Sequence, residues 1–163
     1  MTNATSSATA PAMHQSAGDS RVIRFLGNNE ITVLVSGADS GNSFSVMELV
    51  IQPRGGATAL HTDRWFEVFH VLDGEVEWTL ERDGRMETWV ARRGETVTVP
   101  PGARHRFAGA GSVACRMLTI GPAEYESFFR ALADAWEGPY DREKTPGAVG
   151  PVFARFGMQL CAA

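Results

Sequence analysis

Cysteine is scarce: Cys115 and Cys161 are the only two in 163 residues. They show no CxxC spacing and no adjoining ligand pattern. Two bystander thiols in a reducing cytoplasm are expected, not a disulfide framework or a thiolate metal site. Runs of Lys or Arg are absent too. The net charge is -4 and the acids and bases are interspersed, which argues against nucleic acid and anionic membrane as partners. The first residues, "MTNATSSATAPAMHQSAG", lack the basic start and apolar core of a secretory signal. No apolar stretch approaches membrane-spanning length, and no internal repeat stands out. What is present is ordinary: 44% hydrophobic and 21% charged residues, in a chain long enough to close one sizeable core.

Residues 1–20 are small and polar and read as a flexible tail in which His14 is solvated. From 21 to 120 the chain is a succession of short β-branched and aromatic runs: "VIRFL", "ITVLVSG", "SFSVMELVIQP", "WFEVFHVLDG", "EVEWTLERDG", "RMETWVARRG", "ETVTVPPG", "HRFAGAG" and "ACRMLTIGP". Gly, Pro, Asn or Asp punctuates most of them. Asp73-Gly74 and Asp83-Gly84 predict tight hairpins, since such turns need positive φ at both central residues. This rhythm predicts an all-β sandwich or barrel. Residues 121–163 predict helices that pack on it. Pro122 suits a first helical position, with Glu124 and Glu126 complementing the helix dipole. Tyr125, Phe128, Phe129, Leu132 and Trp136 recur at helical spacing and read as core packing. Gly138-Pro139 is the expected stop, and "GPVFARFGMQL" reads as a second short helix ending at Gly157.

The chemistry concentrates in "HTDRWFE", His61 to Glu67. On an extended strand, residues an even number apart share a face, so His61, Asp63 and Glu67 align. Phe69 and Val71 continue that face inward, while Val68, His70 and Leu72 point outward. Buried charges are costly unless paired or bound to a metal. His105, just after the Pro101-Gly102 turn, supplies a further donor. Two imidazoles and one or two carboxylates suit Fe(II), Mn(II), Co(II), Ni(II) or Zn(II). A metal-free pocket is the other reading, with Asp63 and Glu67 sharing a proton or pairing with a base. Arg64, Arg104 and Arg106 are expected at the rim. Trp65, Phe66 and Trp78 are expected to pack, and Phe69, Phe107 and Met117 to fill the core rather than wall a pocket.

Two spacings tie these residues together. The first is Gly55, five residues, His61-Thr62-Asp63, three residues, Glu67, six residues, Gly74. The second is Gly94, five residues, Pro100-Pro101-Gly102, two residues, His105, three residues, Gly109. Both resemble the paired motifs of the cupin superfamily, with Asp63 where the first motif has its second histidine and Gly109 where the second motif has asparagine. The helix "EYESFFRALADA" and the closing "FARFGMQL" resemble the tail of small single-domain cupins similar to quercetin 2,3-dioxygenase. The resemblance implies a double-stranded β-helix (jelly-roll) barrel with a C-terminal helical segment. It also implies a divalent metal held by His61, Asp63, Glu67 and His105, and a homodimer. Asp63 either binds, giving a two-His, two-carboxylate site, or falls short, leaving His61, Glu67 and His105. The implied activity is a dioxygenase on a small enol, phenol, flavonol-like or diketone substrate, with Glu67 and Asp63 as catalytic residues. A non-oxidative isomerase, cyclase or lyase of a polyketide-like molecule is the alternative, as is a small-molecule-binding cupin without turnover.

Overall fold

A computed structural model describes residues 12–16, 21–53, 58–138, 141 and 143–161. Ten strands come first: β1 Arg21–Phe25, β2 Asn29–Val35, β3 Ser45–Ile51, β4 His61–Thr62, β5 Glu67–Asp73, β6 Glu75–Arg82, β7 Arg85–Arg92, β8 Thr96–Val99, β9 His105–Gly109 and β10 Cys115–Gly121. Helices α1 Tyr125–Ala135 and α2 Thr145–Arg155 follow, and β11 Gln159–Leu160 closes the chain. A six-stranded sheet, β1-β2-β3-β10-β5-β8, lies opposite a five-stranded sheet, β11-β4-β9-β6-β7. The pairings are antiparallel throughout. This is the all-β architecture that the strand rhythm predicts and the jelly roll that the resemblance implies.

Period-two patterning builds the core. In β3, Ser45, Met47, Leu49 and Ile51 are buried and the residues between them are half-buried. In β5, Glu67, Phe69 and Val71 point in while Val68, His70 and Leu72 face out, as parity predicts. Cys115 fills a core position, and burial pushes its thiol up to about 11, which makes it a poor nucleophile.

The two Asp-Gly pairs behave differently. Asp83 and Gly84 both have positive φ, 50° and 75°, and join the paired strands β6 and β7 as a hairpin. Asp73-Gly74 is not a hairpin: β5 belongs to the six-stranded sheet and β6 to the other, so the chain crosses between sheets there. Only Gly74 takes positive φ, 76°. A Cβ on Gly74 would sit 2.7 Å from the Ala114 carbonyl oxygen, so close backbone approach as well as conformation selects glycine.

The C-terminal segment also departs from expectation. Residues Pro122 to Glu124 form a turn, with the Tyr125 amide donating to the Pro122 carbonyl at 3.2 Å, and α1 begins at Tyr125. The second helix starts earlier than expected, at Thr145, after a turn in which the Asp141 carboxylate accepts from the Glu143 and Lys144 amides. It ends near Gly157 as predicted. The Met158 amide reaches the Phe153 carbonyl at 2.9 Å and the Gly157 amide the Ala154 carbonyl at 3.1 Å, with Gly157 at φ 76°, the Schellman arrangement. That reversal turns Gln159 and Leu160 into a strand, not helix, beside β4. His14 is exposed. Most of the expected N-terminal tail, Gly55 and Pro139 lie outside the described residues. No helix is long and apolar enough to cross a membrane among the described residues.

Candidate metal centre

His61, Asp63, Glu67 and His105 do meet, but not along one strand. His61 sits on β4 and pairs in register with His105 on β9. The chain then bends at Arg64 and Trp65 and enters the opposite sheet, where Glu67 opens β5. The expectation of one extended strand is corrected: the even spacing works because the bend carries Glu67 across the barrel. Two hydrogen bonds shape that bend. The Trp65 amide donates to Asp63 Oδ1 at 2.9 Å, and the Gly102 amide donates to the Asp63 carbonyl at 2.7 Å. The second bond ties the Pro101-Gly102 turn, and with it His105, to the His61 segment.

The imidazoles are oriented from behind. His61 Nδ1–H donates to the Ala59 carbonyl at 2.7 Å and His105 Nδ1–H to the Ala103 carbonyl at 3.1 Å. A carbonyl only accepts, so both Nδ1 atoms carry the proton and both Nε2 atoms present a lone pair. The rings lie 4.2 Å apart. His61, Asp63 and His105 each offer a donor atom, and these atoms all lie within 4.8 Å of one another. Glu67 stands just beside this set, its Oε2 3.4 Å from His105 Nε2, while Asp63 Oδ2 is 3.8 Å from the same nitrogen. Asp63 Oδ2 and Glu67 Oε2 are buried without a hydrogen-bond partner among the described residues.

A profile of the cupin domain matches residues 47–121, which span β3 to β10 and contain all four residues. Over that stretch the chain is similar to a cupin domain. Its fold is similar to that of the polyketide cyclase RemF from Streptomyces resistomycificus, at 24% identity and a TM-score of 0.58 over 70% of this chain and 81% of that one. A cupin-2 domain from Rhodospirillum rubrum is similar at 18% identity and a TM-score of 0.56, covering 69% of this chain and 75% of that one. The hydroxypropylphosphonic acid epoxidase from S. wedmorenis is similar at 13% identity and a TM-score of 0.54; the match covers 67% of this chain but only 58% of the epoxidase. At these identities the likeness speaks to the fold. The sequence matches none of the curated proteins to which it was compared.

Burial sets the electrostatics of the site. The His61 imidazole is held down to about 3, by burial first and by His105 second. Burial lowers His105 likewise. Burial raises Asp63, and the adjacent Glu67 adds to it. Burial pushes Glu67 up to about 7. The histidines are therefore neutral at pH 7 and do not neutralise the carboxyls as cations. Two imidazole lone pairs and the Asp63 carboxyl lie within 4.8 Å of one another with Glu67 beside them, a donor set that fits a divalent cation.

The space beside the donors is a cavity of about 40 Å³, enough for water and far below the several hundred Å³ of an ordinary ligand pocket. Thr58, His61, Glu67 and His105 are its polar lining. Phe69 and Phe107 wall it, contrary to the expectation of plain core filling, whereas Met117 lies elsewhere in the core. Tyr125, Phe128, Phe129 and Leu132 of α1 close it together with Phe153 of α2, so the helical stripe read as core packing is also the roof of the site. Phe153 meets the His61 ring edge-on at 5.3 Å. Trp65 and Trp78 are buried as expected, but Phe66 is 56% exposed. Arg104 pairs with Glu81 at the surface and His70 faces outward against Thr96. Thr58 had no motif to reveal it: it reaches the cavity lining from a loop and its Oγ1 accepts from the Phe107 amide, 49 positions away.

Proposed function

We propose that this protein is a cupin and a metal-dependent enzyme that moves a proton on a small enolisable molecule, as an isomerase, cyclase or lyase does. His61, Asp63 and His105 hold the cation and Glu67 is the acid/base. Glu67 carries the reading: it is buried, 3.4 Å from His105 Nε2 and outside the mutual donor set, so its carboxyl is free to take and return a proton beside the cation. A bound divalent cation supplies Lewis acidity toward a substrate oxygen. Phe69, Phe107, Phe128 and Phe153 exclude water and offer faces to a planar apolar molecule. A molecule of that size requires α1 and α2 to move outward, because the closed cavity is about 40 Å³. The small-molecule substrate, a cytoplasmic location and a homodimer paired at a sheet edge belong to the same proposal.

A second reading is the dioxygenase suggested by the resemblance to quercetin 2,3-dioxygenase-like cupins. Two imidazoles with one carboxylate are the donors of non-heme iron oxygenases, and that observation favours it. One experiment separates the two. Protein loaded with Co(II), Mn(II), Ni(II), Zn(II) or Fe(II) is incubated in D2O with 1,3-diketones and aryl ketones under an oxygen electrode. Deuterium incorporation at the α-carbon without oxygen uptake, lost in Glu67→Gln, is the expected result. Oxygen uptake in step with substrate loss selects the dioxygenase. Binding with neither reaction leaves a non-catalytic small-molecule-binding cupin.

A further inference from the structure

Glu124 occupies the N-cap of α1, yet its side chain makes no capping hydrogen bond. Glu124 Oε1 instead accepts from two residues of the bend between Asp63 and Glu67: Arg64 Nη2 at 2.7 Å and the indole Nε1–H of Trp65 at 2.8 Å. A side-chain cap is worth about 1 kcal/mol to a helix, and α1 forgoes it. Trp65 is 7% exposed and its ring meets Tyr125 and Phe128 of α1 edge-on. Its backbone amide is the donor that holds Asp63 Oδ1. One residue therefore bonds the roof helix through its indole and the candidate ligand through its amide.

We infer that Glu124 is a positioning residue for Asp63, acting through Trp65, so that the seating of α1 sets where Asp63 Oδ2 points. The inference rests on the reading of Asp63 as a metal ligand. An aspartate carboxyl turns freely about its last torsion unless one oxygen is tied. With Oδ1 bound to the Trp65 amide, Oδ2 faces His105. Release of the indole lets the Arg64–Trp65 bend relax and Oδ2 swing away. Outer partners of this kind set ligand orientation, and their loss weakens a metal site.

The test is titration of the metal-free full chain with Co(II), following affinity and the visible absorption that reports coordination. Glu124→Ala and Trp65→Phe are expected to weaken Co(II) by about tenfold or more and to change the band, while Glu124→Gln, which keeps an acceptor for the indole, stays within about threefold of wild type. Trp65→Phe keeps an aromatic ring in the core and serves if Glu124→Ala folds poorly by circular dichroism. In an Asp63→Ala background, Glu124→Ala is expected to cost nothing further. An unchanged affinity and spectrum in Glu124→Ala and Trp65→Phe overturns the inference and leaves the metal reading intact. So does an equal loss with and without Asp63, which marks a general structural role. A wild-type chain that takes up no Co(II) overturns both.

Discussion

The two halves of the barrel interior are equally dry but respond to burial in opposite ways. In one, Ile31, Val33, Met47, Leu49, Ile51, Val71 and Met117 are at most 1% exposed. In the other, His61, Asp63, Glu67 and His105 are 1–5% exposed. The same strand serves both, since β5 opens with Glu67 and continues through Phe69 to Val71. Removing apolar surface from water contributes about 25 cal/mol per Å², whereas a buried carboxyl without a partner costs free energy until something satisfies it. The apolar half holds the fold together. The polar half is a local instability that a bound cation would offset.

The contrast is open to direct attack. The largest effect is expected in the apolar half: Leu49→Ala should cost about 2–5 kcal/mol, read as a lower urea midpoint at unchanged slope. Glu67→Gln should do the reverse in metal-free protein. Burial raises Glu67 from 4.5 to about 7, so the folded chain keeps a proton that the unfolded chain has released. Its contribution therefore falls as pH rises from 4.5 to about 7 and stays lost above that. Relative to wild type, Glu67→Gln should be more stable by on the order of 3 kcal/mol at pH 8 and indistinguishable at pH 4. A destabilised variant at pH 8 would remove the idea that the site is held at a cost.

Metal binding should follow the same sign. Asp63 and Glu67 are both raised, so protons compete for the site below pH 7. Co(II) affinity should rise by about tenfold per pH unit for each proton displaced, then level off above about pH 7. A pH-independent affinity from 5 to 7, measured calorimetrically in two buffers, would show that no carboxyl proton is displaced. The smallest effect sharpens the definition of the apolar half. Thr119 is 1% exposed and its Oγ1 has no hydrogen-bond partner among the described residues. Thr119→Val keeps the shape and removes the orphan hydroxyl, so it should stabilise by about 1 kcal/mol. Thermal melts compared with wild type measure it, and a loss of stability would mean the hydroxyl is satisfied in solution.

Much of this was legible along the chain. Strand alternation, the Asp83-Gly84 hairpin and the spacing of His61, Asp63, Glu67 and His105 are local patterns, governed by residue parity and turn chemistry, and they needed no tertiary context. Asp73-Gly74 carries the same two residues as the true hairpin, yet it joins strands of different sheets. The surroundings differ too: Gly74 lies against the backbone of Ala114, forty residues further on. The two-residue strands β4 and β11 are too short to show a period, and they exist through pairing, β11 with β4 and β4 also with β9.

The sequence by itself determined which residues could serve as donors and the all-β class, because donor identity, face alternation and turn propensity are properties of neighbouring residues. The tertiary structure alone decided that His61 and Glu67 reach the site from opposite sheets, that the aromatic stripe of α1 roofs the cavity, and that Glu124 grips the bend beside Asp63 through Trp65 and Arg64. Each of these depends on which surfaces meet when the barrel closes, and closure is set by contacts between residues tens of positions apart, which no local pattern encodes.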